Sequence, residues 1–516
     1  MRIGIDVGGT NTDAVLLDGG RVVSWHKTET TPDVGSGIVS ALRAVLTASR
    51  VDSGLIESVM IGTTHFTNAV LERKRLLPAA ALRLALPANQ ALPPMVDWPP
   101  DLRDVLGNHI YLAHGGYDFN GKEISSLDEQ ELLNAAADMR KKQLRSVAIT
   151  SVFSPVNADM EKRAAEILQV ELPDAYVTLS SEIGRIGLLE RENAAIMNAS
   201  LRELAATVIA SFDRALGELK IEAPVYISQN DGTLMSSDYA ERYPVLTFAS
   251  GPTNSMRGAA LLSNVKDGVV VDVGGTTSDV GFLSGGFPRE AASEVEIAAV
   301  RTNFRMPDII SIGLGGGSIV RPQEGPSIGP DSVGYELKRR ALVFGGDTLT
   351  ATDIAVAAGL AELGDRGRAA EVDSETVSAA LAEITRLIER AVDKIKTSAD
   401  LCPVVLVGGG TILVGDDLAG ASELVKPEHA QVANAIGAAI AQVGGEIDRV
   451  FSHETASRAD VLEAAQLEAT AKAIEAGAEP ESIAIVDVED IPLTYLPGNE
   501  IRVRVKAVGD LARSAA

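Results

Sequence analysis

The chain has 516 residues, 46% hydrophobic, 23% charged and 4% aromatic, with 71 acidic against 46 basic side chains and a formal net charge of −25. This composition fits more than one globular core and excludes a disordered or fibrous chain; the acidity and scarce aromatics exclude nucleic acid as an expected partner. One cysteine, Cys402, excludes internal disulfides and cysteine-cluster metal sites, and no apolar run reaches the ~18 residues of a membrane helix.

In chain order, the short apolar run Ile3 to Ile5 leads into Asp6, and residues 6–20 read DVGGTNTDAVLLDGG. Two apolar runs around a glycine turn predict a β-hairpin. The Pro-rich residues 87–100 predict a surface loop. Leu201, Leu204, Ala205, Val208, Phe212, Ala215, Leu216 and Leu219 recur at helical spacing, with Pro224 beyond the end. Residues 272–286 read DVGGTTSDVGFLSGG and predict a second hairpin. Pro322, Pro326 and Pro330 predict a loop over 321–331. A β-branched run at 404–407 precedes Gly408-Gly409-Gly410. Residues 430–442 predict a small-residue helix able to lie close to another backbone, 457–476 a helix, and 483–488 and 501–508 strands. The alternation makes the class α/β. Cys402 is expected as a buried small hydrophobe. The first apolar run is broken by Asp6, unlike a signal peptide, so a cytoplasmic protein with no membrane partner is expected.

The two hairpin segments are identical at nine of fifteen positions, so the chain reads as two related halves. Chemistry follows from the shared residues. Gly8-Gly9 and Gly274-Gly275 let backbone amides turn toward an anion and approach it closely. Asn11 belongs to the same turn, and Thr10, Thr12, Thr276 and Thr277 offer hydroxyls to phosphate oxygens. Asp6 and Asp272 stand at the strand ends beside these nests. A carboxylate next to phosphate requires a cation between them, and Mg²⁺ takes one or two carboxylates plus waters and phosphate oxygens. Asp6 and Asp272 are therefore the candidate metal ligands. Asp13 and Asp279 either position a reacting group or brace the hairpins. No Walker-type GxxxxGK[ST] loop and no HExxH histidine pair is present.

Two phosphate hairpins followed by a glycine-rich turn resemble the acetate and sugar kinase, heat-shock chaperone and actin superfamily. Asp6 to Asp13 and Asp272 to Asp279 resemble its phosphate motifs, and Val404 to Thr411, with Gly408, Gly409 and Gly410, its adenosine motif. Glu192 to Leu201 and Ala433 to Ala441 resemble its connecting helices. The resemblance implies a duplicated actin-like (ribonuclease H-like) fold closing around ATP. The expected divisions are a first actin-like domain over 1–190, a second over 191–445, with connecting helices near 192–220 and 430–442, and a small α/β segment over 446–516.

Further segments resemble the hydantoinase A/5-oxoprolinase family: MIGTTHFTNAVLERK (60–74), FASGPTNSMRGAA (248–260), MPDIISIGLGGGSIV (306–320) and GDTLTATDIAVAAG (346–359). Ile310 stands where that family often carries histidine. The resemblance implies ATP- and Mg²⁺-dependent opening of a cyclic amide such as a hydantoin, 5-oxoproline or related lactam, by phosphorylation of the amide oxygen. It places Gly315, Gly316 and Gly317 with the nucleotide, and Thr63, Thr64, His65 and Asn68 with the substrate. Asp6, Asp13, Asp272 and Asp279 become the catalytic candidates. It also implies an oligomer and a second, hydantoinase B-like hydrolytic subunit. A small-molecule kinase and an ATP-driven reactivase of a partner enzyme are the alternatives.

Overall fold

A computed structural model describes residues 1–9, 11–31, 34–119, 121–291, 295–303, 306–322, 326–452, 457–493 and 500–512. The repeated sequence becomes a repeated sheet. Strand Arg2–Val7 pairs antiparallel with Asn11–Asp18, which pairs with Arg21–Glu29. On its other side Arg2–Val7 runs parallel to Ser58–Thr63, and that strand parallel to Val225–Ser228. In the second half Gly268–Val273 pairs antiparallel with Ser278–Ser284, which continues to Phe287–Pro288 and Ile309–Ile312. Its parallel neighbours are Cys402–Val407 and then Ala421–Val425. Order and sense match strand for strand, giving the duplicated actin-like arrangement that the two hairpins predict.

The central strands are apolar on both faces because both are covered. Ile3, Ile5, Val59 and Ile61 lie in the first core, and Val269, Val271, Val404 and Leu406 in the second. Cys402 opens its strand and is only partly buried against the second core.

Two features depart from the expected divisions. First, the C-terminal residues expected as a separate segment join the first sheet. Gln442–Ser452 continues it beside Thr233–Ser236, and Glu500–Gly509 and Ala484–Pro492 complete nine strands. Helix Arg458–Glu475 covers this extension through Val461, Ala465, Ala469 and Ala473. Second, the segments at 192–201 and 201–219 form one helix, Leu188–Glu218, and it does not play the connecting part. A parallel sheet of His109–His114, Ala80–Leu86, Ser146–Ser151 and Tyr176–Leu179 is inserted before it. Buried Arg83 of that sheet donates to Glu192 at 2.8 Å, and Trp98 Nε1 to Asn193 at 2.7 Å, tying the helix to the insertion. Pro94, Met95 and Trp98 are the buried anchors of the largely exposed loop over 87–100.

The helix that packs on Ala433–Ile440 is instead Ser250–Ser263. A Cβ on Gly437 would collide with the Asn254 carbonyl, and one on Gly258 with the Ala433 carbonyl. The two backbones touch where side chains are missing, which is why the helix over 433–440 consists of small residues. In the expected loop over 321–331, Ser327–Ser332 is a strand paired with Ser318–Arg321; residues 323–325 lie outside the described residues. Among the described residues, no helix is long and apolar enough to cross a membrane.

Candidate functional site

The hairpin registers place Asp6 opposite Asp13 and Asp272 opposite Asp279. Gly8 N–H donates to Asn11 O at 3.0 Å, and Gly274 N–H to Thr277 O at 2.9 Å, closing both turns. Gly9, Gly275, Thr276 and Thr277 are exposed at the turns, and Asn11 is half-buried. Thr10 lies outside the described residues. Thr12 does not face a ligand. Strand alternation turns it inward; it is buried with its hydroxyl 3.2 Å from that of Thr30, which donates to Gly8 O at 2.8 Å. Thr12 therefore braces the turn from behind.

Asp6 is buried, and burial pushes its carboxyl up to about 7; Asp13 beside it adds to the rise, while Asn434 and Lys27 oppose it. Asn434, on the helix Ala433–Ile440, donates through Nδ2 to Asp6 Oδ2 at 2.9 Å and to Asp13 Oδ2 at 3.0 Å. Lys27, in register with Asp13, reaches Asp13 Oδ2 at 2.8 Å. These bonds hold Asp13 in place as a brace, and burial raises its pKa as well. Asp6 Oδ1 is left without a hydrogen-bond partner among the described residues. Across the centre, Asp272 and Asp279 are half-buried at the surface. Their desolvation still raises both pKa values, Asp279 to about 6. The Ser255 hydroxyl lowers the Asp272 pKa against the effect of burial, and that of Ser311 donates to Asp279. Asp6 and Asp272 are close enough for the charge on one to raise the pKa of the other.

These donors fit a magnesium ion. Among the described residues, no group of three or more His, Cys, Asp or Glu side chains is arranged to hold a metal. Mg²⁺ needs fewer: one or two carboxylates suffice when waters and phosphate oxygens complete the shell. The unpartnered buried oxygen of Asp6, with the charge of Asp272 near enough to be felt, is such a donor.

The glycine-rich segments converge on the second turn, in a packing role. Gly316 and Gly317 donate their amides to Gly274 O at 3.0 Å and Gly275 O at 2.7 Å. A Cβ on Gly315 would sit 2.6 Å from Thr276 N. Gly410 donates to Val273 O at 2.7 Å, and Gly408 to Ala430 O at 2.9 Å. Gly408 has φ +89°, and a Cβ there would collide with Asp272 Oδ1. Gly409 has open space around its Cα. Gly315–Gly317, Gly408 and Gly410 thus shape the turn, and Gly409 is the residue left facing free volume.

The GTT…TNA segment flanks the first turn. Thr64 N–H donates to Val7 O at 3.2 Å, and Asn68 Nδ2 to the Thr64 hydroxyl at 3.3 Å. Asn68 Nδ2 lies 3.7 Å from where a Cβ on Gly9 would stand. Thr63 is buried, its hydroxyl 2.8 Å from His65 Nδ1. Burial, then the charge of Arg75, pushes the His65 pKa down to about 4, so its imidazole is neutral at pH 7. Sequence reasoning missed Lys27, Asn434, Ser255 and Ser311. Lys27 was open to discovery as the cross-strand partner of Asp13. The others required knowing which helices cross the centre. A cavity of about 720 Å³ lies past the end of Val225–Ser228, lined in part by Arg185, Asn230, Asp231 and Lys506, and none of the expected site residues lines it.

Duplicated sheets, each opening with a glycine-turn hairpin that carries an aspartate pair in register, define an actin-like fold. The chain belongs to the hydantoinase/oxoprolinase family, whose N-terminal region matches residues 2–172 and whose hydantoinase/oxoprolinase region matches residues 191–395. It is similar to caprolactamase subunit alpha of Pseudomonas jessenii, 26% identical over 378 residues covering 69% of this chain and 54% of the relative. It is also similar to the acetophenone carboxylase gamma subunit of Aromatoleum aromaticum, 27% identical over 395 residues covering 69% of this chain and 53% of that one. In these alignments the chain spans about half the length of the curated relatives. The crystal structure of the ATP-dependent caprolactamase from Pseudomonas jessenii superposes with a TM-score of 0.81 at 19% identity, over 99% of this chain and 88% of that one. That likeness establishes the fold.

Proposed function

We propose that this chain is the kinase-like part of an ATP-dependent cyclic amidase, which phosphorylates the oxygen of a hydantoin, 5-oxoproline or related lactam so that the ring can open. The observation that supports it best is the pair Asp6 and Asp272 at the strand ends that lead into two turns, where Gly9 in one and Gly275, Thr276 and Thr277 in the other are exposed. Phosphoryl transfer asks the protein mainly for positioning and charge neutralisation. The turns present amides and the Thr276 and Thr277 hydroxyls to phosphate oxygens. Asp6 and Asp272 hold Mg²⁺, which when bound offsets the phosphate charge. Asp13 and Asp279 keep the hairpins in register, and Thr64 and Asn68 line the acceptor side of the first turn.

An unactivated lactam is a poor electrophile. Transfer of the γ-phosphoryl group to its oxygen releases ADP and makes the ring carbon open to water. The water-activating group belongs, in this reading, to a second subunit, consistent with subunit names among the relatives. The likeness to an acetophenone carboxylase subunit supports a second reading, in which the phosphoryl acceptor is a carbonyl other than an amide.

The test is phosphate release from ATP and Mg²⁺ across lactams, hydantoins and simple ketones. The expected result is stimulation by a cyclic amide, reduced at least ~100-fold in Asp6→Asn and Asp272→Asn. Stimulation by ketones alone would select the second reading. Formation of a stable phosphorylated product without ring opening, in the presence of the partner subunit, would point to a plain kinase.

A further inference from the structure

The segment FASGPTNSMRGAA has no assigned task beyond family resemblance, yet it becomes the helix Ser250–Ser263 that crosses between the halves. Consecutive residues of its N-terminal half serve opposite aspartates: the Ser255 hydroxyl lowers the pKa of Asp272, and Asn254 lies beside Asp6. Asn254 is completely buried, and neither end of its carboxamide has a hydrogen-bond partner among the described residues. Gly62 marks the spot. A Cβ there would sit 2.6 Å from Asn254 Nδ2 and 2.7 Å from Asp6 Oδ1, so only glycine lets the two approach a common point. Gly251, on the same helix, leaves further room 4.0 Å from Asp6 Oδ1.

Three buried polar atoms left unpartnered at one place are costly unless a ligand satisfies them together. A carboxylate oxygen alone calls for a cation. A carboxamide adds an oxygen donor that can join the same cation, because a half-turn of its terminal torsion exchanges its two ends. It then leaves an N–H pair for an oxygen of the phosphate that shares the cation. We propose that Asn254 recognises the metal–phosphate unit, with Oδ1 toward the cation held by Asp6 and Nδ2 toward a phosphate oxygen, and so couples metal binding to nucleotide binding. The proposal rests on the nucleotide and cation reading given above.

The test is calorimetric binding of ADP to the full chain with and without Mn²⁺, compared among wild type, Asn254→Leu, Asn254→Asp and Asp6→Asn. Coupling is reciprocal, so the gain in ADP affinity on adding metal reports it directly. Asn254→Leu is expected to lose about tenfold or more of that gain. Its metal-free ADP affinity should fall by less than its affinity in the presence of metal. Asn254→Asp, which keeps an oxygen donor, should retain the gain. A full metal-dependent gain in Asn254→Leu, alongside its loss in Asp6→Asn, overturns the role of Asn254 and leaves the cation site standing. No gain in wild type overturns both. If Asn254→Leu does not fold, as judged by its thermal transition, Asn254→Gln displaces the same carboxamide by one methylene, and retention of the full gain there overturns the proposal.

Discussion

Asp6 is almost completely buried, and one of its carboxylate oxygens, like one of those of Asp13, lacks a hydrogen-bond partner among the described residues. Its folded pKa of about 7 lies above the usual 3.8, chiefly from desolvation. The folded chain therefore binds more protons than the unfolded chain between those values. Stability without metal must fall as pH rises from about 4 to about 7, and stay flat beyond. At ~1.4 kcal/mol per unit, the penalty above pH 7 is at most about 4 kcal/mol. Asp6→Asn removes the charge and nearly keeps the shape, and Asn434 can turn its carboxamide to suit. Thermal unfolding in chelator should thus show Asp6→Asn more stable than wild type at pH 8, with the difference vanishing near pH 4. A variant less stable at every pH would mean that the hydrogen bonds of Asp6 outweigh its desolvation. Activity and stability are expected to move in opposite directions at this residue, as befits a charge held in place for a ligand.

At the scale of elements, the decisive contact is the crossing of Ser250–Ser263 and Ala433–Ile440. Asn254, Ser255 and Asn434 all reach the aspartates from these two helices. Gly437→Ala would drive a methyl group into the Asn254 carbonyl backbone, which has no flexible side chain to give way. The expected cost is about 1–3 kcal/mol or more from overpacking, seen as a lower urea midpoint. It should be accompanied by weakened nucleotide binding, because Asn254 moves with its backbone. An unchanged midpoint would show that the helices can part freely. The same crossing explains what was legible in the sequence. The hairpins could be read because turn chemistry is local and occurs twice in register. The small-residue helix over 430–442 could be read because close packing writes itself as Ala and Gly. Its partner could not, because Ser250–Ser263 carries Asn, Ser, Met and Arg among its small residues and shows no simple stripe. The helix at 192–201 looked equally suited, and only its ties from Arg83 and Trp98 reveal a different neighbour. Thr12 was hard to place for a related reason: a hydroxyl after Gly-Gly suggests phosphate, yet this one is buried against Thr30.

At the scale of the molecule, the C-terminal strands do more than widen the first sheet. Arg504 and Lys506 lie on Glu500–Gly509, are nearly buried, and meet Glu290, which follows the second hairpin. Arg185, from the segment before the long helix, approaches the same carboxylate at 3.6 Å. Alongside, Arg257 of the crossing helix donates to Gly286 O at 2.9 Å and to Gln442 at 3.2 Å, with its guanidinium 3.8 Å above the Phe287 ring. One carboxylate of the second half is thus clasped by cations of the first. Glu290→Gln keeps the shape and removes the charge. The cations keep other partners, since Lys506 bonds Asp231 at 2.8 Å and Arg504 pairs with Asp487 at 3.2 Å. The loss should therefore be that of charge-assisted hydrogen bonds, about 1–3 kcal/mol, and not the larger cost of stranding a buried ion. An exposed ion pair would contribute at most ~1 kcal/mol and fade with salt. A shielded one is screened little, so the loss in Glu290→Gln should persist at high ionic strength. Urea unfolding at low and high salt separates the two cases. A salt-independent drop with faster amide exchange over Glu500–Gly509 identifies a joint that holds the halves together, whereas a drop erased by salt reduces it to a surface contact.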